Sequence, residues 1–295
     1  MRIDRMLDGG TRPVFSFEFF PPDTPEGEDR LFQTIAQLRE LEPSFVSVTC
    51  RNHSRSRTLA VVTRIRNEMG LEPMAHYTCA GATREELREM LRGLHDAGIE
   101  NVLALRGDPP KGSDRFEVTA GGFAHATDLV DMIRDEDDFC VGGACYPEGH
   151  LESPTLDEDM RHTVAKVNGG VSFLITQMFF DNRHYFDFVA RARAAGVTAP
   201  IIPGIMPITN LARLSREGGT LFGAEVPPRL VSALLQRESE PDAVAALGTA
   251  YATLQCSELL AGGAPGVHFY TLNRSPSTRA ILSALLAARP WERAR

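Results

Sequence analysis

Short runs of β-branched and aromatic residues recur along the chain, separated by stretches in which apolar positions return every three or four residues. The runs lie near 13–20 (PVFSFEFF), 43–50 (PSFVSVTC), 72–79 (EPMAHYTC), 101–107 (NVLALRG), 139–147 (FCVGGACYP), 173–180 (FLITQMFF), 200–207 (PIIPGIMP) and 266–273 (GVHFYTLN). Each predicts a strand. Between the first two, Leu31, Phe32, Ile35, Leu38 and Leu41 fall on one face of a helix over 28–41. Thr83 and Glu86 have capping-box spacing at the head of a helix over 83–97, and Gly98 stops it. Thr155 and Glu158 repeat that start over 155–168, which Gly169-Gly170 closes. The stretch 208–265 has room for two or three helices before the last strand. Strands alternating with helices in this way predict a single (β/α)8 (TIM) barrel over residues 1–295, with no Pro/Gly/Ser-rich linker to divide it.

Composition narrows the function classes. With 43% apolar and 24% charged residues the chain reads as an ordinary globular protein. Its net charge of −8 argues against general nucleic-acid binding, yet it is compatible with a local basic pocket for an anionic ligand. No apolar run approaches the ~20 residues needed to span a bilayer. The opening MRIDRMLDGG has no apolar signal segment. Cys50, Cys79, Cys140, Cys145 and Cys256 form no C-x-x-C pair, which fits neither a disulfide framework nor a zinc cluster. The expectation is a reduced, cytoplasmic protein without membrane, nucleic-acid or metal partners.

Candidate chemistry begins at FSFEFF, where Glu18 stands among phenylalanines. Alternation along a strand puts Phe15, Phe17 and Phe19 on one side, and Val14, Ser16, Glu18 and Phe20 on the other. The phenylalanines suit the outer face of a barrel, under the helices. Ser16 and Glu18 then point inward, and Glu18 lies near the mouth where barrel enzymes keep their chemistry. Desolvation there is expected to raise its pKa and to suit it to proton donation near neutral pH. A structural acid bound to backbone amides or an arginine is the bland alternative.

The other strand ends carry Thr49; His76 and Thr78; Arg106 and Asp108; Tyr146 and His150; Gln177; and Asn273-Arg274. Seven of the eight strands thus bring a polar or ionisable group toward one rim, which points to a ligand. RGDPP (106–110) reads as a strand end and a stiff diproline turn, or simply as a local Arg–Asp pair. Asp159, His162 and Lys166 form one stripe on the 155–168 helix, which by default is a solvated face. Cys50 and Cys79 also end strands, but without a base beside them they read as packing residues.

FSFEFFPP, FVSVT, HYTC, ALRGDPP, YPEGH, ITQMFFD, IIPGIMP and HFYTLNR stand in the order and spacing of the methylenetetrahydrofolate reductases. The resemblance runs from about residue 13 to residue 285. It implies a (β/α)8 barrel that reduces 5,10-methylenetetrahydrofolate to 5-methyltetrahydrofolate with NADH or NADPH, usually with bound FAD. Glu18 matches the general acid that opens the five-membered ring to an N5 iminium. Asp108 matches a pterin contact, Gln177 a glutamine shared by folate and nicotinamide, Arg274 a folate contact and Thr49 a nicotinamide contact. His76, Arg106, Gly107, Asp108, Ala126, Tyr146, His150, Asp159 and Lys166 match positions that bind the cofactors.

The flavin pattern is broken at several places. CRNHSRSRT replaces an aromatic and glycine-rich turn after Thr49, His125 replaces a tyrosine, Ser153 an alanine, His162 an asparagine and Ala165 an arginine. Losing that arginine removes a bidentate donor worth roughly 1.5–3 kcal/mol. Arg51, Arg55 and Arg57 are the candidates to replace it. Two routes follow. Hydride passes directly from NAD(P)H to the iminium, which the altered contacts favour, or it is relayed by FAD in ping-pong fashion. A non-catalytic folate-binding paralogue is a third reading, against which the joint presence of Glu18, Asp108 and Gln177 speaks.

Overall fold

The computed structural model describes residues 1–10, 12–50, 54–108, 116–136, 138–212, 214 and 219–294, the side chains of 293 and 294 excepted. Arg51 and the diproline at 109–110 lie outside the described residues. The strands are β1 (Val14–Phe19), β2 (Phe45–Val48), β3 (Pro73–Thr78), β4 (Asn101–Leu105), β5 (Cys140–Cys145), β6 (Phe173–Thr176), β7 (Ile201–Ile202 and Gly204–Ile205) and β8 (Gly266–Tyr270). All pairings among them are parallel and follow chain order, and β8 returns to β1 from Val14↔Gly266 to Glu18↔Tyr270.

β7 closes the ring in two halves. Its first half pairs with β6 (Leu174↔Ile201) and its second with β8 (His268↔Gly204). Pro203 sits between them, and with no N–H it cannot continue an ordinary ladder. Its carbonyl still accepts from His268 N at 2.9 Å. Gly204 is required at the seam, because a Cβ there would come within 2.3 Å of the Thr176 carbonyl oxygen and 2.6 Å of the Tyr270 ring.

The helices are α1 (Ile3–Leu7), α2 (Pro25–Arg39), α3 (Arg55–Arg64, continued by a π turn Ile65–Met69), α4 (Arg84–Asp96), α5 (Ala126–Glu136), α6 (Leu156–Asn168), α7 (Asn182–Ala194), α8 (Pro228–Leu235), α9 (Pro241–Ala261) and α10 (Pro276–Ala288). Both predicted helix starts are present. Thr83 and Glu86 exchange side-chain bonds to each other's backbone N–H, and Thr155 accepts from Glu158 N. The 208–265 stretch holds α8 and α9, preceded by a hairpin of Thr220–Leu221 and Ala224–Glu225. Among the described residues no helix is long and apolar enough to cross a membrane.

Period-two alternation sorts the strand side chains as expected. Phe15, Phe17 and Phe19 pack outward against Leu31, Ile35 and Leu38 of α2 and their neighbours. Val14, Phe45, Met74, Leu103, Cys140, Phe173 and Ile202 fill the barrel's lower interior, and Ile3 of α1 joins them from below. Above that apolar layer the interior turns polar, with Ser16, Ser47, His76, Thr78 and His268 all buried.

Candidate active site

Ser16 and Glu18 project inward from β1. The register sets His268 of β8 beside Ser16, and His268 Nδ1 lies 2.8 Å from Ser16 Oγ. The other ring nitrogen, Nε2, lies 3.4 Å from Glu18 Oε2. His76 of β3 reaches the same oxygen, with its Nε2 at 3.3 Å. The intervening strand offers only the small Ser47 opposite Glu18, so an imidazole two strands away can reach over it. Ser16, His268, Glu18 and His76 thus form a continuous polar row across the barrel.

This row reverses one expectation. Burial pushes the Glu18 carboxyl up, but the charge of His76, close beside it, and the hydrogen bond with His268 outweigh it and lower the pKa to about 2. The resting group is therefore a carboxylate between two imidazoles rather than an isolated acid in an apolar pocket. His76 Nε2 sits at ion-pair distance without hydrogen-bond alignment. Together with Ser47 Oγ and Thr49 Oγ1 it is one of the solvent-shielded polar atoms that lack a hydrogen-bond partner among the described residues. Leaving such groups unpaired costs about 1–3 kcal/mol each, a cost that a polar ligand or an ordered water at this side of the mouth would relieve.

A second cluster lies at the ends of β4 and β5 and on α6. Arg106 makes a fork-to-fork ion pair with Glu152, at 2.6 Å for both contacts, and stacks over Phe116 at 4.7 Å. Tyr146 and His150 meet edge to face, with ring centres 4.7 Å apart. Asp159 is buried and accepts from His150 N at 3.3 Å and from Ser153 Oγ at 3.2 Å. Lys166 donates to the Ala144 carbonyl beneath the Tyr146 ring. Burial lowers the Lys166 pKa, and it lowers that of His150 with help from the Arg106 charge. His150 Nδ1 accepts from Glu152 N at 3.1 Å, which leaves the proton of the neutral ring on Nε2.

Arg106, Tyr146, His150, Asp159 and Lys166 are thus brought together. Gly107 has φ +91° and no room for a Cβ, which would stand 2.7 Å from that of Ala80. Ala126 opens α5 and Thr49 follows β2 directly. Asp108, Gln177 and Arg274 lie just beyond β4, β6 and β8, exposed on the rim. Among the described residues no hydrogen bond or ion pair joins those three to one another or to Glu18; the Gln177 amide oxygen accepts from Met178 N at 3.0 Å. Of the stripe on α6, Asp159 and Lys166 enter the cluster while His162 faces solvent. Cys50 and Cys79 are buried and burial pushes both thiols up, which agrees with packing roles.

Two residues of the site escaped the sequence reading. His268 had a signal, because alternation in GVHFY places it inward beside Ser16. Glu152 had none: it is an exposed acid in a loop, and only the fold sets it against Arg106.

Comparison with known proteins decides the family. The methylenetetrahydrofolate reductase family matches residues 2–286. The chain belongs to the methylenetetrahydrofolate reductase family. It is 37% identical to "Methylenetetrahydrofolate reductase (NADH) 1" of Arabidopsis thaliana over 95% of this chain and 51% of that protein. It is 36% identical to 5,10-methylenetetrahydrofolate reductase of Escherichia coli (strain K12), over 92% of this chain and 90% of that one. The chain therefore spans about half the length of the plant relative and most of the bacterial one. Among solved structures, a Clostridium thermocellum protein described as binding two copies of 5-methyl-5,6,7,8-tetrahydrofolic acid superposes with a TM-score of 0.60. It is 17% identical and covers 95% of this methylenetetrahydrofolate reductase family member and 96% of its own chain, so it supports the fold.

Proposed function

We propose that this chain reduces 5,10-methylenetetrahydrofolate to 5-methyltetrahydrofolate with NADH or NADPH, and that hydride passes directly from the nicotinamide to the folate. The observation that carries the reading is the Glu18 carboxylate held between His76 and His268 inside the mouth of a barrel of this family.

The reaction consumes one hydride and one proton. Glu18 delivers the proton to N10, the bond from N10 to the methylene carbon breaks, and the N5 iminium forms. Hydride from nicotinamide C4 then adds to that carbon and leaves a methyl group. Because the resting Glu18 is ionised, it must take up a proton before it can deliver one, and the two flanking imidazoles are the groups closest to its carboxylate oxygen. The carboxylate and its two histidines therefore form one proton-handling cluster. Ser16 suits this role, since its hydroxyl can donate to or accept from His268 Nδ1 and so tolerates both protonation states. Asp108 and Gln177 stand on the rim to orient the pterin and the nicotinamide. Arg274 is exposed and has no ion pair among the described residues, which suits it to a folate contact.

Bound FAD would supply a hydride relay. Its diphosphate, which NADH shares, finds the matched cations already engaged among the described residues. Arg106 is engaged by Glu152, Lys166 is turned to the Ala144 carbonyl, and Ala165 offers no charge. Arg55 donates to the carbonyls of Ala80 and Gly81, and Arg57 pairs with Asp23. The second reading, an FAD relay, is favoured by one observation: Tyr146, His150, Asp159 and Lys166 gather on one side of the mouth.

The deciding experiment is NADH oxidation by flavin-checked protein, started with 5,10-methylenetetrahydrofolate, with and without added FAD. Turnover without flavin and intersecting initial-rate lines support direct transfer. Turnover only with FAD and parallel lines support the relay. No turnover in either case removes the reductase reading in favour of a non-catalytic folate binder.

A further inference from the structure

The Arg106–Glu152 pair has the geometry of a guanidinium already holding its anion. Nη1 meets Oε2 and Nη2 meets Oε1, both at 2.6 Å, so both prongs of the fork are filled. Such paired contacts are about twice as strong as neutral hydrogen bonds. Phe116 covers the guanidinium plane. The loop that carries the carboxylate is also fixed. Glu152 N donates to His150 Nδ1, Ser153 N donates to the His150 carbonyl at 2.9 Å, and buried Asp159 binds His150 N and Ser153 Oγ. The pair nevertheless remains within reach of solvent, with 22% of the Arg106 side chain and 53% of that of Glu152 exposed. A ligand can therefore exchange with it.

We propose that Glu152 is a specificity-determining residue, a built-in anion that a ligand diphosphate must displace before it can use Arg106. This rests on the reading that Arg106 faces the dinucleotide site. Lys166, the next cation of the cluster, is turned to the Ala144 carbonyl, so it offers no ready substitute. A ligand without charge at this point meets no competition, whereas a diphosphate competes with a preorganised carboxylate. The 150–153 loop thus sorts ligands by their anionic charge.

The test is calorimetric titration of the full chain with ADP, which carries the diphosphate shared by NADH and FAD. Wild type, Glu152→Gln, Arg106→Met and the double variant are compared. Glu152→Gln is expected to bind ADP roughly tenfold more tightly, a gain of about 1.4 kcal/mol. Arg106→Met binds more weakly, and the double variant shows no gain over Arg106→Met. If Arg106→Met weakens binding but Glu152→Gln leaves it equal or weaker, the competition is overturned and the placement of Arg106 survives. If Arg106→Met changes nothing, both fall. A gain that persists in the double variant also overturns the proposal, because it does not act through Arg106. Glu152→Ala carries the same expectations should the glutamine variant fail to fold.

Discussion

Asn273 grips both polar groups of the Phe20 backbone: its Oδ1 accepts from Phe20 N at 3.0 Å and its Nδ2 donates to the Phe20 carbonyl at 2.9 Å. The two residues follow the last and the first barrel strands, so this clasp joins the ends of the ring just above Glu18. Asn273 also adopts φ +57°, a conformation that asparagine tolerates better than most residues.

Asn273→Ala loses both bonds and places alanine in a left-handed conformation. The expected cost is about 2 kcal/mol, seen as a melting temperature a few degrees lower. Folate KM rises with it, since Arg274 loses its neighbouring anchor. Asn273→Gly relieves the backbone but not the lost bonds, so its stability falls between the two. A glycine variant no better than alanine removes the conformational part of this account.

Glu18→Gln keeps the shape of the side chain and deletes its proton chemistry. Folate reduction is expected to fall by about 10²–10⁴, while NADH and folate binding stay near normal in equilibrium titrations. Near-normal turnover in this variant would falsify the proton-donor role.

His268→Asn separates proton supply from simple packing. The variant takes one imidazole from Glu18 and leaves His76. If the imidazoles supply the proton, the kcat–pH profile changes shape, with its alkaline limb displaced. If His268 only positions Glu18, the rate falls by the same factor at every pH and the limb stays in place.

The depressed Glu18 pKa also makes a statement about stability. The unfolded chain binds this proton near 4.5, while the folded one holds it off until about 2. The contribution is therefore present above pH 4.5 and is lost as pH falls from 4.5 toward 2. Its size is roughly 3 kcal/mol at 1.36 kcal/mol per unit. Urea unfolding at pH 5 and pH 3 is expected to show a smaller loss in Glu18→Gln than in wild type. Equal losses in the two proteins would place the carboxylate outside the influence of the histidines.

The eight strands were legible because alternation and β-branched runs report directly on a pleated, half-buried surface. Their C-terminal limits were not. FLITQMFF reads as one strand to 180, yet β6 stops at Thr176. Phe179 and Phe180 are buried all the same, in the loop packed under α7 and α9 rather than in the sheet. Apolarity marks burial, and in the βα loops burial outlasts the ladder. The inward side chains of the site followed from the same alternation. The charge state of Glu18 did not, because the imidazoles beside it come from His76, two strands away, and from His268 on the last strand. The Arg106–Glu152 pair spans 46 residues and leaves no periodic trace.

α1 sets Ile3 beneath Val14, Phe45 and Met74, with no part of its side chain reaching solvent. The barrel is therefore plugged from below and open to ligands only at its mouth. Whatever lies against Glu18, above that layer, has one way in and one way out. Under direct transfer, both reactants share that approach. The stopper at the floor of the barrel, far from any reacting atom, thereby leaves one door for both.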